Sequence, residues 1–285
     1  MEPKTVTVGS FLSPDEAERL RAFERQRHDT LATSYHDFFT AVTTRAIDPL
    51  LRAVCAESDF KLLDVATGPG SLAAEAARRG VRCTGVDLSS GMIQLARKSN
   101  PGIDFPVADV EHLPFADGSF DAVVCNFGLG HFPYPEAAVA ECIRTLRKGG
   151  RVAFSWWGDP SKQRIQGLFR EAIAEVGAAP PPDIPVGHSV YRFADTGEFT
   201  RLLEGAGLVE ACVENHQTEH PIPDLETLWR GGLGSLALTA SAIGHQNAAT
   251  QTAIRAALER RAQAYRTSAG YILPMAFKIG AGEKP

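Results

Sequence analysis

Three carboxylates grouped around a glycine-rich turn are the residues of this chain best suited to chemistry. The run Leu62-Leu63-Asp64-Val65-Ala66-Thr67-Gly68-Pro69-Gly70 reads as a strand entering a turn that opens a helix, with Asp64 just ahead of the turn. Asp87, in Gly85-Val86-Asp87-Leu88-Ser89, ends a second apolar run, and Asp109, in Ala108-Asp109-Val110, ends a third. Gly68-x-Gly70-x-x-Ala73 meets the formal dinucleotide fingerprint, but the acid beside it discriminates between ligands. A dinucleotide pyrophosphate would bring about two negative charges to the turn and the helix N-terminus, where Asp64 repels them. S-adenosylmethionine presents an ammonium and a sulfonium with a single carboxylate, and Asp64 attracts it. At ~4 Å and an effective dielectric of about 20, one such contact is worth several kcal/mol before desolvation. Asp87 suits the two ribose hydroxyls of either ligand. Asp109 and the adjoining backbone suit an adenine amino group and ring edge. Met92, one turn into the helix after Asp87, either lies on an adenine face or belongs to the core.

The acceptor of a transferred group has to reach the same strand ends. His131, in Gly130-His131-Phe132-Pro133 after the fourth apolar run, has an ordinary pKa of about 6.5 that suits a general base; the alternative is a cap on the next helix or a cofactor contact. Trp156 and Trp157 end the fifth run, and strand alternation sends one to each side of the sheet, one into the core and the other to an acceptor wall. Tyr35, His36 and Phe39 either close over the sulfonium, where aromatic faces favour a cation, or pack as helical core. Arg192, in Tyr191-Arg192-Phe193, and Arg230, in Trp229-Arg230, are each either a clamp on an acceptor carboxylate or phosphate or a solvated charge, with Tyr191 and Trp229 as apolar neighbours. His216 and His220 make no metal pair, because four strand residues separate them by ~13 Å. No metal is expected.

The hydrophobic pattern supplies the elements that must hold these groups. Ser13-Pro14-Asp15-Glu16 forms a capping box with proline at the first helical position, predicting a helix to about His28. A second helix is predicted from about Tyr35 to Val54, kinked at Pro49. From residue 61, strands at 61–66, 81–87, 103–108, 120–126 and 151–157 alternate with helices at 71–79, 89–98 and 135–146, the last stopped by Gly149-Gly150. Such β-α repeats imply a parallel sheet covered on both faces, with ligands at the strand C-terminal ends. Further on, helices are predicted at 162–176, 196–205, 225–238 and 248–267, and strands at 208–215 and 271–279. With 285 residues, Lys plus Arg 29 against Asp plus Glu 34 and a net charge of -5, the chain lacks the basic stripe of a nucleic-acid binder. Neither a basic-then-apolar leader nor a run of ~18 apolar residues is present. Cys55, Cys83, Cys125, Cys142 and Cys212 contain no C-x-x-C and read as reduced thiols, so a cytoplasmic location is expected.

Leu62 to Gly70, Gly85-Val86-Asp87, Ala108-Asp109, Leu113-Pro114-Phe115 with Phe120-Asp121, and Leu146-Arg147-Lys148-Gly149-Gly150 together resemble the class I S-adenosylmethionine-dependent methyltransferases. The resemblance is strongest to the subgroup of ubiquinone and menaquinone biosynthesis enzymes and natural-product methyltransferases, over about residues 35–160. It implies an α/β, Rossmann-like fold: a seven-stranded, mostly parallel sheet with the last strand antiparallel, helices on both faces, N-terminal helices, and a helical cap between the last two strands. The implied division is residues 1–58 as a helical segment closing over the cofactor, 59–223 with 269–285 as the core, and 224–268 as the cap. By the same resemblance Asp64, Ala66, Gly68 and Gly70 line the methionine portion, Asp87 and Leu88 hold the ribose, Asp109 and Val110 hold the adenine, and Asn126 faces the methionine or sulfonium, with Tyr35 and Met92 also at the cofactor. Ala66 stands where the family usually has its first loop glycine. Phe127-Gly128-Leu129-Gly130-His131 lacks the Arg-Asn pair of the quinone enzymes, which counts against a respiratory quinone as acceptor.

The implied function is methyl transfer from S-adenosylmethionine, leaving S-adenosylhomocysteine, to oxygen or carbon of a small, largely apolar or aromatic metabolite such as an isoprenoid or polyketide. His131 is the candidate general base, and Phe39, His131, Trp156, Trp157, Tyr191, Arg192, Trp229 and Arg230 are the candidate acceptor contacts. Alternatives are a cofactor-retaining cyclase or isomerase, an NAD-dependent oxidoreductase and a non-catalytic partner subunit. The expected partner is a small molecule, not nucleic acid or a membrane span; a homo-oligomer stays open.

Overall fold

The computed structural model describes residues 12–179, 181, 184, 185, 187 and 189–285, the side chains of 32–37 apart. Its first element, α1 (Pro14–Phe38), is one continuous helix where two were expected. The capping box forms as predicted: Ser13 N–H and Oγ–H donate to Glu16 Oε2 at 2.8 and 2.7 Å. Short helices α2 (Thr40–Thr43) and α3 (Ile47–Ala53) lead to the sheet, and Pro49 sits in the first turn of α3, where its missing N–H costs no hydrogen bond.

The sheet is built from β1 (Lys61–Val65), β2 (Arg82–Val86), β3 (Phe120–Asn126), β4 (Leu146–Trp157), β5 (Val209–Ile222), β6 (Arg266–Thr267) and β7 (Gly270–Glu283). Its order is β2-β1-β3-β4-β7-β5, with β6 as a two-residue hairpin partner of β7. The first four strands run parallel, and β7 lies antiparallel to both β4 and β5, so the last strand is the reversed one. The central strands are apolar on both faces: Leu62, Leu63, Val123, Val124 and Phe154 are fully buried, as a sheet covered on both sides requires.

The predicted strand at 103–108 is reduced to two isolated bridges, Thr84 to Asp104 and Asp87 to Val107. Pro106 interrupts it, having no N–H for a ladder. Its place in the count of seven is taken by β6. Helices α4 (Ser71–Arg78), α5 (Ser90–Ser99) and α6 (Pro135–Thr145) follow β1, β2 and β3. The last ends before Gly149-Gly150, not at it: the Lys284 ammonium donates to the carbonyls of Ile143 and Leu146 at 2.8 and 2.7 Å, satisfying the acceptors a glycine cap would otherwise serve.

After β4 come α7 (Arg164–Val176) and α8 (Thr196–Gly205). Between β5 and β6 lie three helices, not two: α9 (Leu225–Ser235), α10 (Ala237–Gly244) and α11 (Ala248–Ala262), the first pair divided at an extended Leu236. The Gly231-Gly232 pair lets α9 lie flush between neighbours. A Cβ at Gly231 would sit 2.4 Å from the Phe38 ring of α1, and one at Gly232 would sit 2.2 Å from the Phe169 ring of α7. None of the described helices is long and apolar enough to cross a membrane. The five cysteines are unpaired; Cys125 and Cys142 are buried, whereas Cys55 and Cys212 are exposed and outside the core.

Candidate active site

A cavity of about 250 Å³ opens at the C-terminal ends of β1 to β4, roofed by α1 and by the start of α10. The turn after β1 forms its floor. Ala66 and Gly68 both have positive φ, 53° and 56°, and no atom lies within 4 Å of a Cβ built on Gly68, so that backbone faces open space. A left-handed alanine costs roughly 1–2 kcal/mol. Ala66→Gly is therefore expected to leave the melting temperature unchanged or raise it slightly, strain relief outweighing the added chain entropy of about 1 kcal/mol. Gly70 does not line the cavity. It opens α4 at φ 82°, and a Cβ there would meet the Phe105 ring at 2.9 Å.

Asp64 is fully buried beneath this turn. Its Oδ2 accepts from the Thr67 hydroxyl at 2.6 Å, while Oδ1 has no hydrogen-bond partner. Burial pushes its pKa up to about 7, opposed by the Thr67 hydrogen bond and the nearby Ala73 backbone N–H and aided by the Asp87 charge. A buried acceptor without a donor, next to an open glycine, fits the ammonium of S-adenosylmethionine. Asp87 closes the turn from the next strand, accepting from Gly68 N–H through Oδ2 and from Ser89 N–H through Oδ1, both at 2.9 Å. Burial raises its pKa too, against those bonds and the facing His28 and His131. Leu88, Met92, Asp109 and Val110 complete this wall. Asp109 caps its own turn through Glu111 N–H at 3.0 Å, and its second oxygen faces Arg21 Nε at 3.0 Å. Asn126 reaches the cavity from β3, held by Ser155 Oγ–H to its Oδ1 at 2.8 Å and donating to the Thr43 carbonyl at 3.2 Å.

Four lining residues from α1 were not foreseen: Arg21, Glu24, Arg25 and His28. Their spacing of three and four places them on one helix face, and that stripe was the available signal. Arg21 pairs with both Asp109 and Glu111, the latter at 2.7 Å. Glu24 Oε2 lies 3.2 Å from His131 Nδ1. Asp29 Oδ1 accepts from Ser89 Oγ–H at 2.6 Å and from Gly91 N–H at 2.8 Å, fixing α1 to the start of α5. Tyr35 and His36, also on this helix, lie outside the described residues.

The cavity also has an aromatic portion. Phe39, Phe127, Trp156, Trp157 and Tyr191 line it together with Leu236, Leu238 and the side chains of Gln166 and Arg170 from α7. Both tryptophans reach it, contrary to the expected split, because the cavity crosses the strand end and is open to side chains of either face. Trp157 stacks on Phe127 with centroids 3.8 Å apart and meets Phe39 edge-on at 5.5 Å. Trp156 donates from Nε1 to the Val190 carbonyl at 2.7 Å. Arg170, not Arg192, is the cation here, lying over the Tyr191 ring at 5.2 Å.

Arg192, Trp229 and Arg230 are not in the lining. Arg192 is tied to Glu136 at 2.6 Å and Glu198 at 3.3 Å; Trp229 is buried against Phe169; Arg230 is exposed. The inserted helices contribute Ser235 to Thr239 instead, where the break at Leu236 turns the chain toward the cavity. His216 and His220 are apart as expected, one stacked on Phe277 and the other edge-on to Phe38. Among the described residues one group, Glu24, His28 and His131, brings ligand-type atoms within 4.8 Å of one another.

Residues 63–154 match the methyltransferase domain family. A demethylmenaquinone methyltransferase of Chlorobaculum parvum is 31% identical over 216 residues, 67% of this chain and 86% of that protein. One of Renibacterium salmoninarum is 38% identical over 171 residues, 57% of this chain and 72% of that protein. The match to the Paenarthrobacter aurescens enzyme of the same description spans 64% of its length. Among solved structures, a Haemonchus contortus phosphoethanolamine N-methyltransferase in complex with S-adenosylhomocysteine superposes with a TM-score of 0.56 at 16% identity, over 93% of this chain and 60% of that one. The YcgJ protein of Bacillus subtilis does so at 0.52 and 18%, over 85% and 99%. These two likenesses establish the fold, and the sequence relatives establish the family: the chain belongs to the class I S-adenosylmethionine-dependent methyltransferases.

Proposed function

We propose that this enzyme methylates oxygen or carbon of a small, largely apolar or aromatic metabolite. The observation that carries the reading is one cavity lined both by buried carboxylates and by a cluster of aromatic side chains. The names of relatives support an aromatic ring and a carbon acceptor: demethylmenaquinone methyltransferase in Chlorobaculum parvum, and ubiquinone/menaquinone biosynthesis C-methyltransferase in Bartonella tribocorum. Bound S-adenosylmethionine supplies an electrophilic methyl carbon on a sulfonium. In this reading Asp64 and Gly68 hold its ammonium end, Asp87 its ribose and the Val110 backbone its adenine. The aromatic cluster excludes water and orients the acceptor opposite the sulfur at about 3–3.5 Å, where orientation provides much of the rate. His131 takes the acceptor's proton where one must be lost. Residues 12–58 and the helices at 224–268 act as the two covers of the site.

Calorimetry tests the cofactor half. S-adenosylmethionine is expected to bind with a Kd on the order of micromolar and NADH not at all, while Asp87→Ala, which removes the hydroxyl acceptors and the Gly68 anchor, weakens binding by at least ~100-fold. Incubation with S-[methyl-³H]adenosylmethionine and a metabolite extract tests the acceptor half: label entering the organic-soluble small molecules supports the reading, and label confined to protein or RNA overturns it. Turnover sustained equally by S-adenosylhomocysteine would instead favour cyclisation or isomerisation.

A further inference from the structure

We propose that Glu24 is a positioning residue for His131, so that a base-competent imidazole is assembled only while α1 lies across the cofactor cavity. The inference deepens the proposed methyl transfer and rests on it. Glu24 and His131 lie far apart in the sequence and meet where Asp29 and Arg21 tie α1 to the loop after β2 and to Asp109 and Glu111. Glu24 Oε2 is 3.2 Å from His131 Nδ1, and the Glu24 side chain is only 13% exposed.

A carboxylate beside Nδ1 holds the hydrogen there, and in the neutral ring this leaves the lone pair on Nε2. The ring is kept in place by edge-on contacts with Trp156 at 5.5 Å and His28 at 5.3 Å between centroids. The charged groups facing His131 are Glu24 and His28 from α1 and Asp87 from the end of β2. Burial alone would lower its pKa; the Glu24 carboxylate beside it, with a smaller contribution from Asp87, outweighs burial and raises it. As the acceptor atom bonds to the methyl carbon, the carbon–sulfur bond breaks with its electron pair left on sulfur. Nε2 then receives the acceptor's proton, forming an imidazolium opposite the Glu24 charge, and later releases that proton to water.

The same three side chains could be read as ligands of a divalent metal. His28 Nδ1 lies 2.9 Å from the Glu24 backbone carbonyl, which only accepts, so that nitrogen carries its hydrogen and His28 has only Nε2 left for an ion; the Zn²⁺ measurement below separates the two readings.

Nitrogen-detected NMR of the histidine side chains reads this directly and needs no acceptor. With S-adenosylhomocysteine bound and His131 assigned by the loss of its signals in His131→Asn, the neutral ring is expected as the Nδ1–H tautomer. Glu24→Gln should lower the His131 midpoint by about one pH unit, and Glu24→Asp should restore part of the shift. A midpoint unmoved in Glu24→Gln, an Nε2–H tautomer in the unaltered protein, or stoichiometric Zn²⁺ binding that shifts both His28 and His131 would each overturn the proposal. Were the protein to show these histidine shifts and yet transfer no methyl group, the proposed function would fail while the pair stood.

Discussion

Asp64→Asn is expected to make the protein more heat-stable at pH 8 and to weaken S-adenosylmethionine binding by ~100-fold. Both effects come from one buried carboxyl. Its pKa of about 7, raised by desolvation, means that the fold prefers the protonated form. The stability this group contributes is whole below its unfolded value near 4 and is lost as the pH rises through about 7. At 1.36 kcal/mol per pH unit, the ionised group then costs the fold on the order of 4 kcal/mol. Asparagine is neutral at every pH and nearly the same size, and its amide oxygen can still accept from Thr67 as Oδ2 does. Melting curves of the two proteins without cofactor should therefore coincide at about pH 4 and below, separate progressively between about pH 4 and 7, and stay apart at pH 8, with the variant higher. S-adenosylmethionine should reverse the order, because an ammonium against Oδ1 stabilises the carboxylate and binding stabilises only the protein that holds it. Parallel melting temperatures from pH 5 to 8.5 would sink this account of Asp64. Equal cofactor affinity in the two proteins would remove it from the ammonium site.

The carboxylates were legible because each stands where an apolar run stops, and an apolar run between turn residues marks a strand whatever surrounds it. Asp64, Asp87 and Asp109 all reach one cavity for that reason. The covers were not legible to the same degree. Arg21, Glu24, Arg25 and His28 share a helix face, but the pattern does not say which part of the sheet that face overlies. Its docking is decided by Asp29 on Ser89 and Gly91, sixty and more residues away. Arg192 and Arg170 show the same limit from the other side. Both lie after β4 with an aromatic neighbour, and which one enters the cavity depends on Glu136 and Glu198 capturing the first. Trp229-Arg230 stands out by composition, whereas the cap's contribution, Ser235 to Thr239, is uncharged and carries no chemical signature. The apolar residues of 103–108 predict a strand, and Pro106 reduces it to isolated bridges.

Gly130→Ala is expected to cost about 2 kcal/mol of stability or more and to reduce methyl transfer by ~100-fold, while leaving the Kd for S-adenosylmethionine within a few-fold of its original value. A Cβ at this position would lie 2.0 Å from Trp156 Cζ2 and 2.4 Å from Cη2. No rotamer adjustment at the alanine can relieve that, because a methyl group has none. The indole cannot simply retreat: Trp156 is 1% exposed and its Nε1–H is bonded to the Val190 carbonyl. Either the indole tilts and leaves a buried carbonyl without its donor, at about 1–3 kcal/mol, or the turn carrying Leu129 to His131 lifts. Both movements displace side chains of the acceptor half, and a shift of about 1 Å there is enough to lose the ~100-fold in rate. The cofactor half is anchored separately, through Asp64 and Asp87, and should hardly notice. The glycine is thus required by the closeness of the tryptophan, not by a left-handed backbone. Gly68→Ala inverts the logic, with open space for the methyl group but φ of 56°. Measured together by calorimetry and label transfer, Gly130→Ala should lose turnover with binding retained. A Gly130→Ala protein as stable and as active as the unaltered one would show that Trp156 does not wall the acceptor.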